Sequence, residues 1–387
     1  ENERDVEKNN SLRNASLILR IKIDIENDVT SISQEVYKFL KEIDHHAVIK
    51  SINVNFTSHR NAQFALFDHF QSQRGNKIGY TPIVNSIASI INPFYDISST
   101  IHVDSTITES LDLLNLLGCT TGFKIIPVYD AKSENTIDDF RKNIDLFTSK
   151  YNISYDDYSS LRTNSFFFGV TAIGNTVKEL PTRYSQVEEG MQILITNKLG
   201  SLIPLALFLL SQIEQKVEKQ FEEEGITRER IQGIANETQR KCTIPTFSLG
   251  KIISRYLPSF DTKINKEDHI FAVLPIRKDG ILATRYLARL INAHIVINDI
   301  PLVNEDLSIF ATKRNLIDNS TASTTGCHII IANKHIIQLI ANDLRKSGYL
   351  PIRIGFIAKL GKPQITFDKN IKKYICSKYK QSILLEN

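Results

Sequence analysis

The chain is 387 residues long, which at roughly 150 residues per domain points to two domains, each large enough for a core of its own. Hydrophobic residues make up 42% and charged residues 23%, a balance that excludes a disordered or fibrous chain. Lysine and arginine total 47 against 43 acidic residues, so the net charge of +4 gives no footing for nucleic-acid binding without a concentrated basic patch.

In chain order, the start ENERDVEKNN is charged and polar, the opposite of a secretory leader. Alternation with β-branched residues predicts strands at 16–25 and 47–56, and helical spacing predicts a helix at 31–43 between them. A helix is expected over 81–91, ending before Pro93, because the residue preceding a proline leaves the helical region. A short strand is expected near Ile101–Val103, then a helix over 108–118 that stops at Gly118. A strand follows at 123–130 and an amphipathic helix at 136–151, where Thr136 and Asp139 have the spacing of a capping box. Strands at 165–174 and 191–197 precede a long helix over 201–224. Within that helix the apolar run Leu202–Leu210 is too short for a bilayer, which needs about 20 residues.

The stretch 225–268 is charged and is expected to be an irregular insertion. The last third reads as strand (269–275), helix (279–293), strand (294–300), polar loop, strand (328–333), helix (334–348) and strand (350–358). Hydrophobic strands separated by helices place the chain in a mixed α/β (α+β) class, with a boundary near 170–180.

Several chemistries lack their signatures. Four cysteines lie far apart with no CxxC pair, as expected of free thiols in a reducing compartment, and the protein is expected to be cytoplasmic. Nine histidines include no i, i+4 helical pair, so no zinc site is expected. The GxSxG, GxGxxG and GxxxxGK[ST] patterns are all missing. Glycine numbers only 16, about 4% against a usual share near 7%, which leaves little for phosphate-cradling loops. The basic stretch KNIKKYICSKYK (369–380) reads as a solvated helix face rather than an RNA contact.

What remains is a pair of small-residue turns joined to strands. In the first, Gly190 leads into a strand, and Thr196, Asn197, Lys198 and Gly200 open a helix whose backbone N–H groups suit an anion. In the second, over 310–331, hydroxyl side chains and Gly326 lead into a buried strand.

Together with other segments in order, these turns resemble selenophosphate synthetase (selenide, water dikinase), of the superfamily that includes aminoimidazole ribonucleotide (AIR) synthetase. Phe168-Gly169 through Gly174 resembles that family's Phe-Gly-x-x-x-x-Gly strand. Gly190 followed by ILITNKLG resembles its Gly-x-x-hydrophobic-Thr-Lys-Pro-Leu-Gly segment, with Asn197 and Lys198 in the place of Lys-Pro. Asp299-Ile300-Pro301 resembles its Ile-Pro after a strand. Thr312-Lys313-Arg314-Asn315 resembles Thr-x-Arg-Asn, Thr324-Thr325-Gly326-Cys327 resembles Thr-Ser-Gly-Gly, and Ser110-Leu111-Asp112 with Gly118 resembles its Ile-Ser-Asp helix.

The resemblance implies a two-domain AIR synthetase-like architecture: an N-terminal domain over 1–175, carrying dimerisation and the nucleotide side, and a C-terminal domain over 176–387 with the insertion near 225–268. It implies ATP and magnesium as cofactors, a homodimer, and phosphoryl transfer to a selenide-like nucleophile. Asp112 would be a metal ligand, and Ser160, Thr196, Lys198, Arg314, Asn315, Thr324 and Gly326 would lie near the nucleotide.

The departures touch the chemistry. The family's Asp-Val-Thr-Gly-Phe-Gly is here Pro275-Ile276-Arg277-Lys278-Asp279-Gly280, so the metal-binding carboxylate falls on Pro275. Of its Gly-Gly-His-Ser loop only Ser160 matches, and its early Asp-Asp-Ala element and reactive cysteine loop are missing. Lys198, Arg277, Lys278 and Arg314 offer side-chain charge in place of metal charge. The alternative is a non-catalytic paralogue acting as a dimeric binding or regulatory protein, and a third reading is an RNA-associated protein using the basic C-terminal stretch.

Overall fold

The computed structural model describes residues 83–87, 100–157, 159, 167–213, 215–259 and 262–376, all within the compact unit Arg74–Asn387. The strands and helix expected before residue 57, and Ser160, lie outside the described residues.

Strand β1 spans Ile83–Ile87, where a helix was expected. It pairs antiparallel with β4 (Phe167–Asn175), Ile83 opposite Ile173 and Ile87 opposite Gly169. In so short an apolar run, helical spacing and strand composition are not separable, and pairing with a neighbour decides. Helix α1 runs Ile101–Leu116 and absorbs the strand expected at 101–103. Nearly every α1 residue is buried, so the helix has no polar face to betray its period, and β-branched Ile101 and Val103 misled the strand reading. Two of its hydroxyls turn back to the helix itself: Ser105 donates to the Ile101 carbonyl and Thr106 to that of His102.

Strand β2 (Thr121–Asp130) follows, then α2 (Glu134–Tyr151), β3 (Ser154–Tyr155) and β4. α2 buries Ile137, Phe140, Ile144 and Phe147 on one stripe, as the spacing predicts. Its N-cap is Ser133 rather than Thr136, and that cap makes no side-chain hydrogen bond. The four strands form one sheet in the order β1-β4-β2-β3, with only β2 and β3 parallel.

After β5 (Gln192–Ile195), the expected long helix is α3 (Leu202–Ile213) and α4 (Gln215–Glu223) on either side of residue 214. Ile203, Leu205, Leu207 and Leu209 are buried, and no helix among the described residues is long and apolar enough to cross a membrane.

The segment expected to be irregular is helical: α5 (Arg228–Cys242) and α6 (Phe247–Arg255). Thr227 caps α5 by accepting from the Arg230 amide at 3.2 Å. Ile231, Ala235, Thr238 and Cys242 form its buried stripe, so narrow that the charged remainder concealed it. α6 crosses α1 closely. A Cβ on Gly250 would stand 2.4 Å from the Cys119 carbonyl oxygen and 3.0 Å from Asn115 Oδ1, so only glycine permits this approach. Through α6, Leu116 of α1 joins the core around Leu194, Val273, Ile330 and Ile337, where each fully buried aliphatic side chain contributes about 1.5–3 kcal/mol.

The remaining elements are β6 (Ile270–Ile276), a 3-10 turn (Gly280–Leu282), α7 (Ala283–Leu290), β7 (Ala293–Ile297), α8 (Glu305–Lys313), β8 (Cys327–Ala332), α9 (Lys334–Lys346), β9 (Ile352–Leu360), β10 (Gln364–Phe367) and α10 (Ile371–Tyr374). α8 lies in the expected polar loop, its three inward apolar residues being Leu307, Phe310 and Ala311. The second sheet has the order β10-β7-β9-β5-β8-β6. β5 and β6 both run antiparallel to β8, with Ile195 opposite Ile329 and Ile276 opposite Cys327. The loops that leave β5 and β6 and the loop that enters β8 therefore meet at one end of the sheet. The mixed α/β class and the two mixed sheets flanked by helices are as expected.

Candidate functional site

At that end, the loop 319–326 is held between the segments 197–202 and 277–281. Thr196, fully buried, donates its hydroxyl to the Gly326 carbonyl at 3.0 Å and accepts from the His328 amide at 3.0 Å. Asn197 Nδ2 donates to the same carbonyl at 2.8 Å, and its Oδ1 accepts from the Leu350 amide. Ser201 and Thr324 pair through their hydroxyls at 3.0 Å, and the Thr324 amide donates to Ser201 Oγ. At the start of α3, the Gly200 amide donates to the Thr321 carbonyl and Ser323 Oγ, and the Leu202 amide to the Ala322 carbonyl. These amides, expected to suit an anion, are committed to the protein itself.

The turn after β6 is locked from the other side. The Ser323 amide donates to the Arg277 carbonyl at 2.9 Å, Asn319 Nδ2 to that of Asp279 at 2.8 Å, and the Ile281 amide to Thr321 Oγ1 at 2.9 Å. Gly280 has φ +51°, and a Cβ there would stand 2.2 Å from Thr321 Oγ1, so the turn needs glycine on both counts. Arg277 and Lys278 are thus presented on a fixed turn.

What they face comes from α1. Arg277 Nη1 lies 2.7 Å from Glu109 Oε1, with the side chains only 17% and 20% exposed. Three residues along the same helix, Asp112 is 2% exposed. Its Oδ1 accepts from the Thr246 amide at 2.8 Å and the Thr246 hydroxyl at 2.6 Å, whereas Oδ2 is buried with no hydrogen-bond partner. Desolvation pushes its pKa up to about 7, against the two Thr246 bonds, with Glu109 adding to the rise and Arg277 opposing it.

Lys278 is exposed, but protein crowded around its ammonium lowers its pKa, with Glu109 opposing. His328 is buried, and neither ring nitrogen has a partner. Burial, aided by the Arg277 charge, pushes its pKa down to about 3 and keeps the ring neutral. Cys242, at the end of α5, feels both Glu109 and Asp112, and burial pushes its thiol up to about 11. The four cysteines are free and buried, as expected of unpaired thiols.

The expected site residues therefore separate. Thr196, Thr324 and Gly326 come together with Asn197, and half-buried Lys198 lies on the same segment. Arg314 is paired with Glu223 and Glu224 at 3.0 Å each, and Asn315, at φ +53°, accepts from the Cys376 thiol. Both serve the junction of α8 with α4 and the C-terminal segment.

Among the described residues, Glu109 and Asp112 do not fit the magnesium ion that the resemblance implies. That ion needs several oxygen ligands in near-octahedral array. Glu109 is committed to Arg277, Asp112 Oδ1 to Thr246, and the remaining Asp112 oxygen is sealed away. Among the described residues no group of three or more His, Cys, Asp or Glu is placed to hold a metal. Sequence reasoning missed Glu109, Thr246 and His328. Glu109 had a signal in its i, i+3 spacing to Asp112, whereas Thr246 lay in a segment without apparent structure.

No protein-family model matches the chain, and no curated protein matches it. Solved structures do. Thiamine-monophosphate kinase from Stenotrophomonas maltophilia superposes with a TM-score of 0.50 at 14% identity, covering 75% of this chain and 86% of that one. AaThiL, solved in complex with AMPPCP and TMP, gives 0.53 at 13% identity, with 82% and 96% covered. The protein tt0281 from Thermus thermophilus gives 0.55 at 9% identity, with 78% and 95% covered. At such identities the likeness is one of fold: the chain shares the mixed α/β fold of these structures, with two mixed sheets flanked by helices.

Proposed function

We propose that this protein binds the phosphates of an ATP-like nucleotide in the cleft between α1 and the turn 277–280, and that ATP-dependent phosphoryl transfer is the class of chemistry its scaffold serves. Fold likeness to AaThiL, crystallised with AMPPCP, supports the nucleotide. The observation that carries the reading is the fixed turn, tied to the loop 319–323, that sets Arg277 against Glu109 of α1 with Lys278 beside it. Phosphoryl transfer is mostly positioning and charge neutralisation, and a planar guanidinium suits phosphate oxygens. A selenide-like acceptor rests on the sequence resemblance alone. The same reading takes 1–175 and 176–387 as the two domains, a homodimer as the assembly and the cytoplasm as the location.

One observation favours a second reading, the non-catalytic paralogue: two described carboxylates beside the turn, Glu109 and Asp112, are already engaged. Calorimetric titration with ATP, followed by an assay for ADP, AMP and phosphate release, separates the two. Saturable binding with turnover supports the transferase, and binding without turnover supports the paralogue. Loss of both, in a folded protein, removes nucleotide binding altogether.

A further inference from the structure

We infer that the segment 371–376 is a strap that fixes the shape of the loop 319–326 and, through that loop, of the turn 277–281, so that release of the strap loosens the candidate site. The inference concerns the conformation of the loop and stands whether or not a nucleotide is the ligand. The loop cannot hold itself by burying apolar side chains. From Ser320 to Thr325 it carries only serine, threonine and Ala322, so its shape is set by hydrogen bonds that are individually weak.

The strap has the apolar anchorage that the loop lacks. Ile371, Tyr374 and Ile375 are buried, while Lys372 and Lys373 between them are exposed. It is fastened near both ends of α8: the Tyr374 hydroxyl donates to Glu305 Oε1 at 2.7 Å, and the Cys376 thiol donates to Asn315 Oδ1 at 3.0 Å. Against the loop it forms a short antiparallel bridge, with Ile375 opposite Asn319. The Ser320 amide and hydroxyl both donate to the Tyr374 carbonyl, at 2.9 and 3.0 Å, and the Cys376 amide donates to the Asp318 carbonyl at 2.8 Å. Ser320 Oγ also accepts from Thr312 Oγ1 of α8 at 2.8 Å.

From that bridge the hydrogen bonds run on without a break. Asn319 donates to the Asp279 carbonyl and accepts from the Thr321 amide and hydroxyl. The Thr321 carbonyl accepts from the Gly200 amide, Thr321 Oγ1 accepts from the Ile281 amide, and the Ser323 amide donates to the Arg277 carbonyl. The same arrangement gives work to two residues that the sequence singled out: Thr312 holds Ser320, and Asn315 holds the strap itself.

The test is native-state hydrogen exchange of the full chain, read at the amides of Gly200, Ile281, Thr321 and Ser323, with the amides of β5, β6 and β8 as the reference. Tyr374→Phe keeps the ring and deletes the bond to Glu305. Tyr374→Ala/Ile375→Ala removes the buried anchors, with circular dichroism to verify folding. The inference expects exchange at the loop and turn amides to quicken about threefold in Tyr374→Phe and about tenfold or more in the double variant, while the reference strands change by less than about twofold. A folded double variant whose loop and turn amides exchange as in the parent protein overturns it. So does an equal quickening of the reference strands, which would make the segment an ordinary part of the core. Should the double variant fail to fold, Tyr374→Phe decides alone, and parent-like exchange at the loop and turn amides then overturns the inference.

Discussion

Arg277 and Glu109 form an ion pair at 2.7 Å that ties the turn after β6 to the middle of α1. Both side chains are largely withdrawn from water, so the pair is more than a surface contact, and its geometry joins an element of the first sheet's layer to the end of the second sheet. Breaking it from one side leaves the other charge in a poorly solvated place.

For Glu109→Gln we expect a loss of about 3 kcal/mol, the low end for a buried pair because both groups retain some exposure. Urea denaturation measures it. The paired variant Glu109→Gln/Arg277→Gln should recover a good part of the loss, and a double-mutant cycle that shows no coupling counts against the pair as a structural tie.

Asp112 makes the stability pH-dependent. Its pKa is about 7 in the folded chain against 3.8 for an ordinary aspartate, so between those values the folded state holds a proton that the unfolded state has released. The contribution of this residue to stability therefore falls as pH rises from about 4 to about 7, by on the order of a few kcal/mol, and is level outside that window. Asp112→Asn keeps an acceptor for Thr246 and removes the charge. Denaturation profiles of the two proteins should diverge across this range, with the variant the more stable at the alkaline end. Parallel profiles would show that the carboxyl is ionised throughout.

Gly250→Ala tests the crossing of α1 and α6. Alanine is the better helix former by up to about 1 kcal/mol, yet the new methyl would meet the Cys119 carbonyl at 2.4 Å. Overpacking is expected to win, with a net loss of about 1–3 kcal/mol and a lower melting temperature. A rise in melting temperature would mean that the helices separate readily.

Thr196→Val removes the hydroxyl that serves both the Gly326 carbonyl and the His328 amide. Two buried backbone groups lose a partner, for an expected cost of about 1–3 kcal/mol. Thr196→Ser retains the hydroxyl and should restore most of the stability, a comparison that thermal denaturation makes directly. A loss in Thr196→Ser as large as that in Thr196→Val would show that the site depends on the methyl as much as on the hydroxyl.

Much of the fold could be read from periodicity. The stripe Ile137, Phe140, Ile144 and Phe147 marks α2, and the apolar run of β8 and the alternation in β7 mark buried strands. Such elements advertise themselves because one face is apolar along their whole length. The order of small-residue turns carried the resemblance, since Thr196, Thr324 and Gly326 serve a local clasp whose residue types the backbone dictates.

Other features had no local signature. α1 is buried on all sides, β1 is a strand through its pairing with β4, and α5 shows a stripe too narrow to stand out from its charges. The charge balance of the cleft is of the same kind. By the resemblance Asp112 is a metal ligand, and Arg277 is one of four cations that stand in place of metal charge. Only the packing of α1 against the end of the second sheet sets Arg277 on Glu109 and seals Asp112 under Thr246. The pKa and partner of an ionisable group depend on desolvation and on charges from distant parts of the chain, and those come into being with the tertiary structure.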